Sequence, residues 1–190
     1  METIPGVMIC SSVWGSKMAL LVIDPQRKFT INVPDWENRM TTAVSGINSF
    51  ARMFRERALP VIFIFFDGES HTGYHGEDSD EWLPGIETSD TDIIVHKKHM
   101  NCFKETVLEE VLRENGVDCA LLTGMLSEFC VISTYFAAAE RGVFPYLGRG
   151  ALIPYNEKGN EAVELICSML EEDVLGRFLS GEQPPLELVE

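Results

Sequence analysis

Three chemically reactive side chains stand at or just beyond the ends of short apolar runs: Asp24, Lys97 and Cys130. A cysteine attacks a carbonyl carbon only as a thiolate. It therefore needs a base that takes its proton and a positive charge that stabilises the sulfur anion. Asp24 can take the proton and later give it to a leaving amine, and Lys97 can stabilise the thiolate. The trio predicts a nucleophilic cysteine that cleaves a carbonyl compound.

Cys130 taken alone is ambiguous. It precedes the segment 132–141, so it stands where a helix is predicted to begin, and the free amides and dipole of a helix start stabilise a thiolate. Most free cysteines are instead small buried hydrophobic residues. The nucleophile interpretation therefore depends on Asp24 and Lys97, which must reach Cys130 from other parts of the chain.

The elements that must position these residues alternate between strands and helices. Apolar runs without polar alternation, such as residues 18–23 and 61–66, are typical of strands buried on both faces of a parallel sheet. Between them, apolar residues recur every three or four positions, as expected of helices. This predicts a three-layer α/β/α sandwich with a central, mainly parallel sheet of five or six strands. Sites in such folds form beyond the C-terminal strand ends. We expect adjacent strand ends to bring the three reactive groups together.

The predicted organisation is one domain over residues 1–190, with residues 1–17 as an N-terminal arm and 180–190 as a tail that is loose or docks on a neighbour. The fifth strand is predicted at 143–147. A last helix starts at 159 or 160, with apolar positions 163, 166, 167 and 170 facing inward, and a sixth short strand begins at 174–175. The long polar segment 67–92 is expected to be functional or mobile.

Composition limits the class of partner. The formal net charge is −15, and such a surface repels phosphate backbones and anionic lipids, so we expect neither nucleic-acid nor membrane partners. No apolar stretch approaches the roughly 20 residues of a membrane span, and no signal peptide is evident, which favours the cytoplasm. The five cysteines include no CxxC pair, which argues against zinc and against the alternative of a thiol redox protein.

Three segments resemble the isochorismatase-like cysteine hydrolases, a superfamily that includes the nicotinamidases. They are residues 21–26 (LVIDPQ) with Phe29; Lys97 with Phe103, Thr106 and Leu108; and Gly124 with residues 127–131 (SEFCV), Thr134 and Gly142. The matches occur in the family's order and spacing. The resemblance implies the same three-layer fold, a catalytic triad of Asp24, Lys97 and Cys130, and self-association into a homo-oligomer.

The resemblance also implies how a reaction intermediate is held. It places a non-proline cis peptide bond at Met125–Leu126, which turns the amide of Leu126 toward the oxyanion, beside the amide of Cys130. The family member that cleaves isochorismate, a vinyl ether, lacks the cysteine. Because Cys130 is present, the chain resembles the branch that hydrolyses the C–N bond of a small-molecule amide through a thioester.

Three positions depart from the family pattern. Lys28 stands where the family usually has aspartate, Leu126 where alanine is more common, and residues 148–151 (GRGA) where an Asp-Ala pair is expected. None of them removes the triad. They leave open a second hypothesis, a protein of the same fold that has lost catalysis and serves as a binding or assembly module.

A metal is not expected. Nicotinamidases hold a divalent metal through an Asp-x-His motif after the second strand together with a further histidine. Here Asp67 is followed by Glu69 at the histidine position, and His71 and His75 are the other candidate ligands. The broken motif argues against nicotinamide as the substrate and predicts that the protein needs no cofactor.

Three further side chains are candidates for the substrate pocket: Gln26, Phe29 and Trp82. Phe29 and Trp82 could form apolar walls, although Trp82 could equally anchor an interface. Gln26 is expected to support the loop after the first strand.

Overall fold

Six parallel strands form one sheet in the computed structural model of the chain, which describes residues 17–30, 35–68 and 76–181. The strands are β1 (Met18–Ile23), β2 (Val61–Phe66), β3 (Ile93–Lys97), β4 (Cys119–Met125), β5 (Phe144–Ile153) and β6 (Met169–Leu170). Their order is β3-β2-β1-β4-β5-β6, with every neighbouring pair parallel. The predicted α/β fold with a five- or six-stranded parallel sheet is confirmed. Nearly all of the predicted arm and tail lies outside the described residues.

Helices cover both faces of this sheet. They are α1 (Trp36–Arg55), α2 (Leu108–Glu114), α3 (Ile132–Glu140), α4 (Gly159–Glu164) and α5 (Glu172–Leu179). Alternate residues of β1 enter two separate cores: one contains the buried residues of α1 and α5, and the other contains those of α2, α3 and α4. All six residues of β1 are buried, as expected for the centre of a parallel sheet. No helix of the described ranges is long and apolar enough to span a bilayer.

The C-terminal part of the predicted topology needs correction. Residues 174–175 belong to α5, and the sixth strand is Met169–Leu170. The helix before it ends at Glu164, and Ile166, predicted to face inward, is 59% exposed. The spacing of the apolar residues at 163, 166, 167 and 170 is typical of a helix. However, the backbone amide of Leu147 donates to the carbonyl of Ser168 at 2.9 Å, so pairing at the sheet edge decides the conformation.

The fifth strand is longer than predicted. It begins at Phe144 and continues to Ile153, and its register with β4 shifts between the pairs Leu122–Leu147 and Gly124–Leu152. Residues 148–151 therefore form an irregularity within the strand, of the kind that bends one strand relative to its partner. Arg149 lies in this segment, and its guanidinium pairs with the carboxylates of Glu164 and Glu171.

Gly124 allows β4 to approach β1 immediately before Asp24. Its φ is +101°, and a Cβ atom at this position would lie 2.7 Å from the backbone nitrogen of Ile23 and closer still to its carbonyl oxygen. Only glycine combines a left-handed backbone with so short a distance between strands. The position of the end of β1, which Asp24 follows, therefore depends on Gly124 of β4 having no side chain.

We expect Gly124→Ala to lower the free energy of unfolding by about 3–5 kcal/mol, because it adds overpacking against backbone to the cost of a left-handed alanine. Gly116→Ala is the matched control. Gly116 has φ +66°, and no atom of the described residues lies within 4 Å of its Cβ position, so it should lose only about 1–2 kcal/mol. Denaturant unfolding measures both, and equal losses would contradict the close-approach argument.

Candidate active site

Asp24 is fixed at the C-terminal end of the central strand. It follows β1 with a left-handed φ of 48°, a conformation that is uncommon outside glycine and that occurs at functional sites. Its backbone amide donates to the carbonyl of Ile64 at 3.1 Å, which ties it to β2. The residue is fully buried, so its carboxyl group meets protein atoms and not water.

Lys97 reaches Asp24 across an intervening strand. β3 is separated from β1 by β2, so the expectation that adjacent strand ends bring the two groups together is wrong. Two strand spacings are about 10 Å, a gap that a long lysine side chain and a carboxylate can close together. The Lys97 ammonium nitrogen lies 5.0 Å from the Phe66 ring centroid, 2.7 Å from Asp24 Oδ2 and 3.0 Å from the carbonyl oxygen of His99.

Cys130 lies in a π-helical turn, Ser127–Val131, that leads directly into α3. The residue is 7% exposed, and its thiol lies close enough to the Asp24 carboxyl group for the charge of Asp24 to raise the thiol pKa. The hydroxyl of Thr134 donates to the Cys130 carbonyl oxygen at 2.7 Å. The structure thus brings all three residues of the predicted triad into one buried cluster.

The ionisation of the acid and the lysine follows from burial and mutual attraction. Burial raises the pKa of the Asp24 carboxyl group, and the nearby Lys97 ammonium opposes that rise. Burial acts to lower the pKa of Lys97, but the Asp24 carboxylate and, to a smaller extent, Cys102 and Cys130 together raise that pKa above the ordinary value. Lys97 is therefore a permanent cation, and Asp24 is an acid shifted toward the range in which a general base works well.

The thiol of Cys130 keeps its proton in this arrangement. Burial raises its pKa well above the ordinary value for cysteine, the negative charge of Asp24 raises it further, and Lys97 opposes both. A preformed thiolate at a helix start, as expected from the sequence, is therefore not the resting state. The nearby Asp24 carboxyl group is the candidate acceptor of this proton.

The peptide bond between Met125 and Leu126 is cis, at the position that the family resemblance implies. Both residues are buried in a small apolar cluster at the C-terminal end of the sheet, with Leu83 and Ile153. The bulk of Leu126 is accommodated within this cluster. An oxyanion site at the amides of Leu126 and Cys130, with Met125 preceding them, stays a prediction.

Glu128 joins the turn that contains Cys130 to the residues that follow β5. Its two carboxylate oxygens accept hydrogen bonds from the backbone amides of Tyr155 at 2.9 Å and Asn156 at 2.6 Å. The hydroxyl of Ser127 donates to the Asn160 side-chain oxygen at 2.5 Å. Sequence reasoning missed these contacts. The available signal was an acidic residue two positions before the candidate nucleophile.

Gln26 supports the site through the backbone of β2. Its side-chain oxygen accepts from the Phe66 amide at 2.8 Å, and its nitrogen donates to the Phe66 carbonyl at 3.2 Å. Phe29 packs edge-on against the Phe66 ring. Trp82 packs against Phe63 and Phe65, whose side chains alternate with Phe66 and therefore lie on the opposite face of β2. Of the three pocket candidates, only Phe29 packs against the ring of Phe66, which lies next to the Lys97 ammonium.

The described part of the long polar segment 67–92 covers the residues that follow Asp24. Backbone amides of Arg27 and Lys28 donate to the carbonyls of Glu81 at 2.9 Å and Ser79 at 2.7 Å. The side chain of Arg27 pairs with Asp78, and that of Lys28 with Asp80. The acidic composition of this loop is therefore matched by two cations in the turn that it covers.

The described residues do not fit the metal motif of the nicotinamidases. Asp67 Oδ1 lies 2.8 Å from His96 Nδ1, and the Lys28 ammonium lies 2.9 Å from the carbonyl oxygen of Gly68, where it would repel a dication. Within residues 17–30, 35–68 and 76–181, no group of three or more His, Cys, Asp or Glu side chains is arranged so that it could hold a metal ion. His71 and His75 lie outside these ranges, and a metal-free protein stays a prediction.

The other reactive side chains near the candidate triad either pair with carboxylates or remain protonated. The imidazole of His99 pairs with Glu105, as that of His96 does with Asp67, so both rings are engaged by carboxylates. Burial raises the pKa of the Cys102 thiol to about 12, which keeps this neighbour of Lys97 protonated and unreactive.

Comparisons with known proteins agree with the fold. The sequence profile of the Isochorismatase domain matches residues 18–163. Nicotinamidase 3 of Arabidopsis thaliana is 28% identical over 86% of this chain and 89% of its own, and a secreted isochorismatase effector of Verticillium dahliae is 23% identical over 86% and 87%. The crystal structure of N-carbamoylsarcosine amidase from Thermoplasma acidophilum superposes with a TM-score of 0.68 at 23% identity, covering 83% of this chain and 97% of that one.

We expect Lys97→Met to lower the free energy of unfolding by about 3–5 kcal/mol, because it leaves the buried Asp24 carboxylate without its counter-ion. The double variant Asp24→Asn/Lys97→Met should recover most of this loss, since neither charge remains. Denaturant unfolding of the parent, both single variants and the double variant gives the coupling energy. A Lys97→Met protein as stable as the parent would show that the two groups are not a buried ion pair.

We expect Asp24→Asn to increase alkylation of Cys130 by iodoacetamide by about 10-fold or more at a fixed, mildly alkaline pH. It removes a negative charge that raises the thiol pKa and leaves the Lys97 ammonium beside the sulfur. Mass spectrometry of the Cys130 peptide measures the rate, with Cys130→Ala to correct for other sites. Lys97→Met should change the rate in the opposite direction. Slower labelling of Asp24→Asn than of the parent would contradict this electrostatic account.

Proposed function

The chain belongs to the isochorismatase family, and we propose that it is a cysteine hydrolase that cleaves the C–N bond of a small-molecule amide. One observation carries the proposal: a carboxyl group, an ammonium group and a thiol from three separate strand ends meet in one buried cluster. Lys97 Nζ lies 2.7 Å from Asp24 Oδ2, and the Cys130 thiol is close enough to both groups for their charges to shift its pKa in opposite directions. This is the arrangement of base, cation and nucleophile that a thiol needs to attack a carbonyl carbon.

In the first step, the thiol proton moves to Asp24, and Cys130 Sγ, now a thiolate beside Lys97, bonds to the carbonyl carbon. The Lys97 ammonium stays charged and offsets the negative charge as it leaves the carboxylate. The carbonyl oxygen gains that charge and is stabilised by the amides of Leu126 and Cys130, in the manner of an oxyanion hole.

In the second step, the C–N bond breaks and protonated Asp24 gives its proton to the leaving nitrogen. Amine or ammonia departs, and the acyl group remains on Cys130 as a thioester. Asp24, again a carboxylate, then takes a proton from water as the water attacks the thioester. The C–S bond then breaks, a carboxylic acid leaves, and protonated Asp24 returns its proton to the Cys130 sulfur.

Two relatives support amide cleavage, since one is a nicotinamidase and the other an N-carbamoylsarcosine amidase. The surroundings of the cluster favour a neutral substrate with an apolar part. Partly buried Phe29, Trp36 and Tyr155 pack against the apolar cluster that contains Leu126, while Arg149, a candidate partner for an acidic substrate, is paired with two glutamates. We propose that the enzyme is a metal-free cytoplasmic homo-oligomer.

We expect Cys130→Ala and Cys130→Ser to reduce hydrolysis of small neutral amides by about 10⁴-fold or more, because no other described group can form the acyl intermediate. Release of ammonia or amine measures turnover across a panel of aliphatic and aromatic amides. Intact-mass spectrometry of acid-quenched parent protein should detect the acyl adduct on Cys130. Full turnover by Cys130→Ala would refute the assignment. A parent protein that forms no adduct and cleaves no amide would favour the binding or assembly hypothesis.

A further inference from the structure

A second lysine lies buried beside the candidate triad. Lys28 is 5% exposed, and its ammonium donates to the carbonyl oxygens of Phe66 at 3.1 Å and Gly68 at 2.9 Å and pairs with Asp80. A buried ammonium is costly unless its donors and charge are matched. Three acceptors surround this one, so the protein provides a built position for a positive charge.

The ring of Phe66 lies near both the Lys28 ammonium and the triad residue Lys97. The centroid of its ring lies 5.8 Å from Lys28 Nζ and 5.0 Å from Lys97 Nζ, within the range in which an aromatic face attracts a cation. Its carbonyl oxygen accepts from both Lys28 and Gln26. Two fixed positive charges therefore flank one ring at the end of β2, next to the strand that carries Asp24.

We propose that Lys28 is a positioning residue of this site: it fixes the backbone that follows β2 and supplies a second positive charge that keeps the buried Asp24 carboxylate ionised. The inference rests on the proposed function, in which Asp24 is the base. The family resemblance leads one to expect aspartate at position 28, so this chain carries the opposite charge there.

The charged and titratable groups that face Asp24 come from four elements. Lys97 extends from β3, Cys130 lies in the turn before α3, Cys102 follows β3, and Lys28 lies in the turn after β1. Burial raises the pKa of Asp24, and the charges of Lys97 and then Lys28 lower it. Loss of the Lys28 charge would therefore leave Asp24 protonated up to a higher pH, and a protonated Asp24 cannot accept the thiol proton.

The test is a titration of the Asp24 carboxyl carbon by NMR in protein labelled with carbon-13 aspartate, assigned by the signal lost in Asp24→Asn. Lys28→Met should raise the midpoint by about one pH unit, the shift expected if a unit charge is removed at roughly 10 Å in a medium with an effective dielectric constant of about 20. Lys28→Arg keeps the charge and should keep the parent midpoint. Arg27→Met is the matched control, because it removes a cation from the same turn without affecting Asp24.

Asp80→Asn changes an exposed residue and should shift the Asp24 midpoint in the opposite direction. It removes the carboxylate paired with Lys28, so the ammonium charge is less compensated and the Asp24 midpoint should fall. An unchanged midpoint in Lys28→Met, or a shift of the same size in Arg27→Met, would overturn the assignment of Lys28.

Kinetics separates this inference from the proposed function. If the protein hydrolyses an amide, the acid limb of its kcat/KM profile should move with the NMR midpoint in each variant, and a limb that stays fixed in Lys28→Met contradicts the inference. If it hydrolyses none, the proposed function fails, whereas the NMR titration still decides whether Lys28 keeps Asp24 ionised.

Discussion

One buried ion pair determines how the candidate site is built. The side chains of Asp24 and Lys97 are both inaccessible to water and lie 2.7 Å apart. A pair of this kind gains little stability over apolar residues of similar size, so its presence is best explained by chemistry. It also constrains the fold: the lysine must cross β2 to reach β1, and Gly124 must lack a side chain so that β4 can close on the strand that carries Asp24.

The pair also explains how a protonated thiol can be a nucleophile. Before attack, Lys97 is the counter-ion of the Asp24 carboxylate, and after proton transfer it becomes the counter-ion of the sulfur. The cluster has the same net charge in both states. In a buried site, moving a negative charge between two neighbours of one fixed cation costs far less than creating a new charge. A raised thiol pKa in the resting state is compatible with catalysis for this reason.

Sequence patterns predicted local features well and long-range contacts poorly. The first two strands, at 18–23 and 61–66, have the bounds predicted from the sequence, because runs of buried apolar residues reflect a local requirement. The end of the chain was predicted wrongly, because the spacing of Val163, Cys167 and Leu170 fits a helix as well as it fits a turn and an edge strand. The contacts of Glu128 with residues 155–156 and of Lys28 with Phe66 and Gly68 join distant segments, and no periodicity reports such pairs.

Residue types and the order of the apolar runs are enough to predict the fold class, the three reactive residues and their places at strand ends. The separation of Lys97 from Asp24 by β2, the protonated thiol of Cys130 and the burial of the Lys28 cation emerge only from the folded arrangement. Those properties depend on burial and on distances between charges from different elements. A side chain acquires them only when the whole sheet has assembled around it.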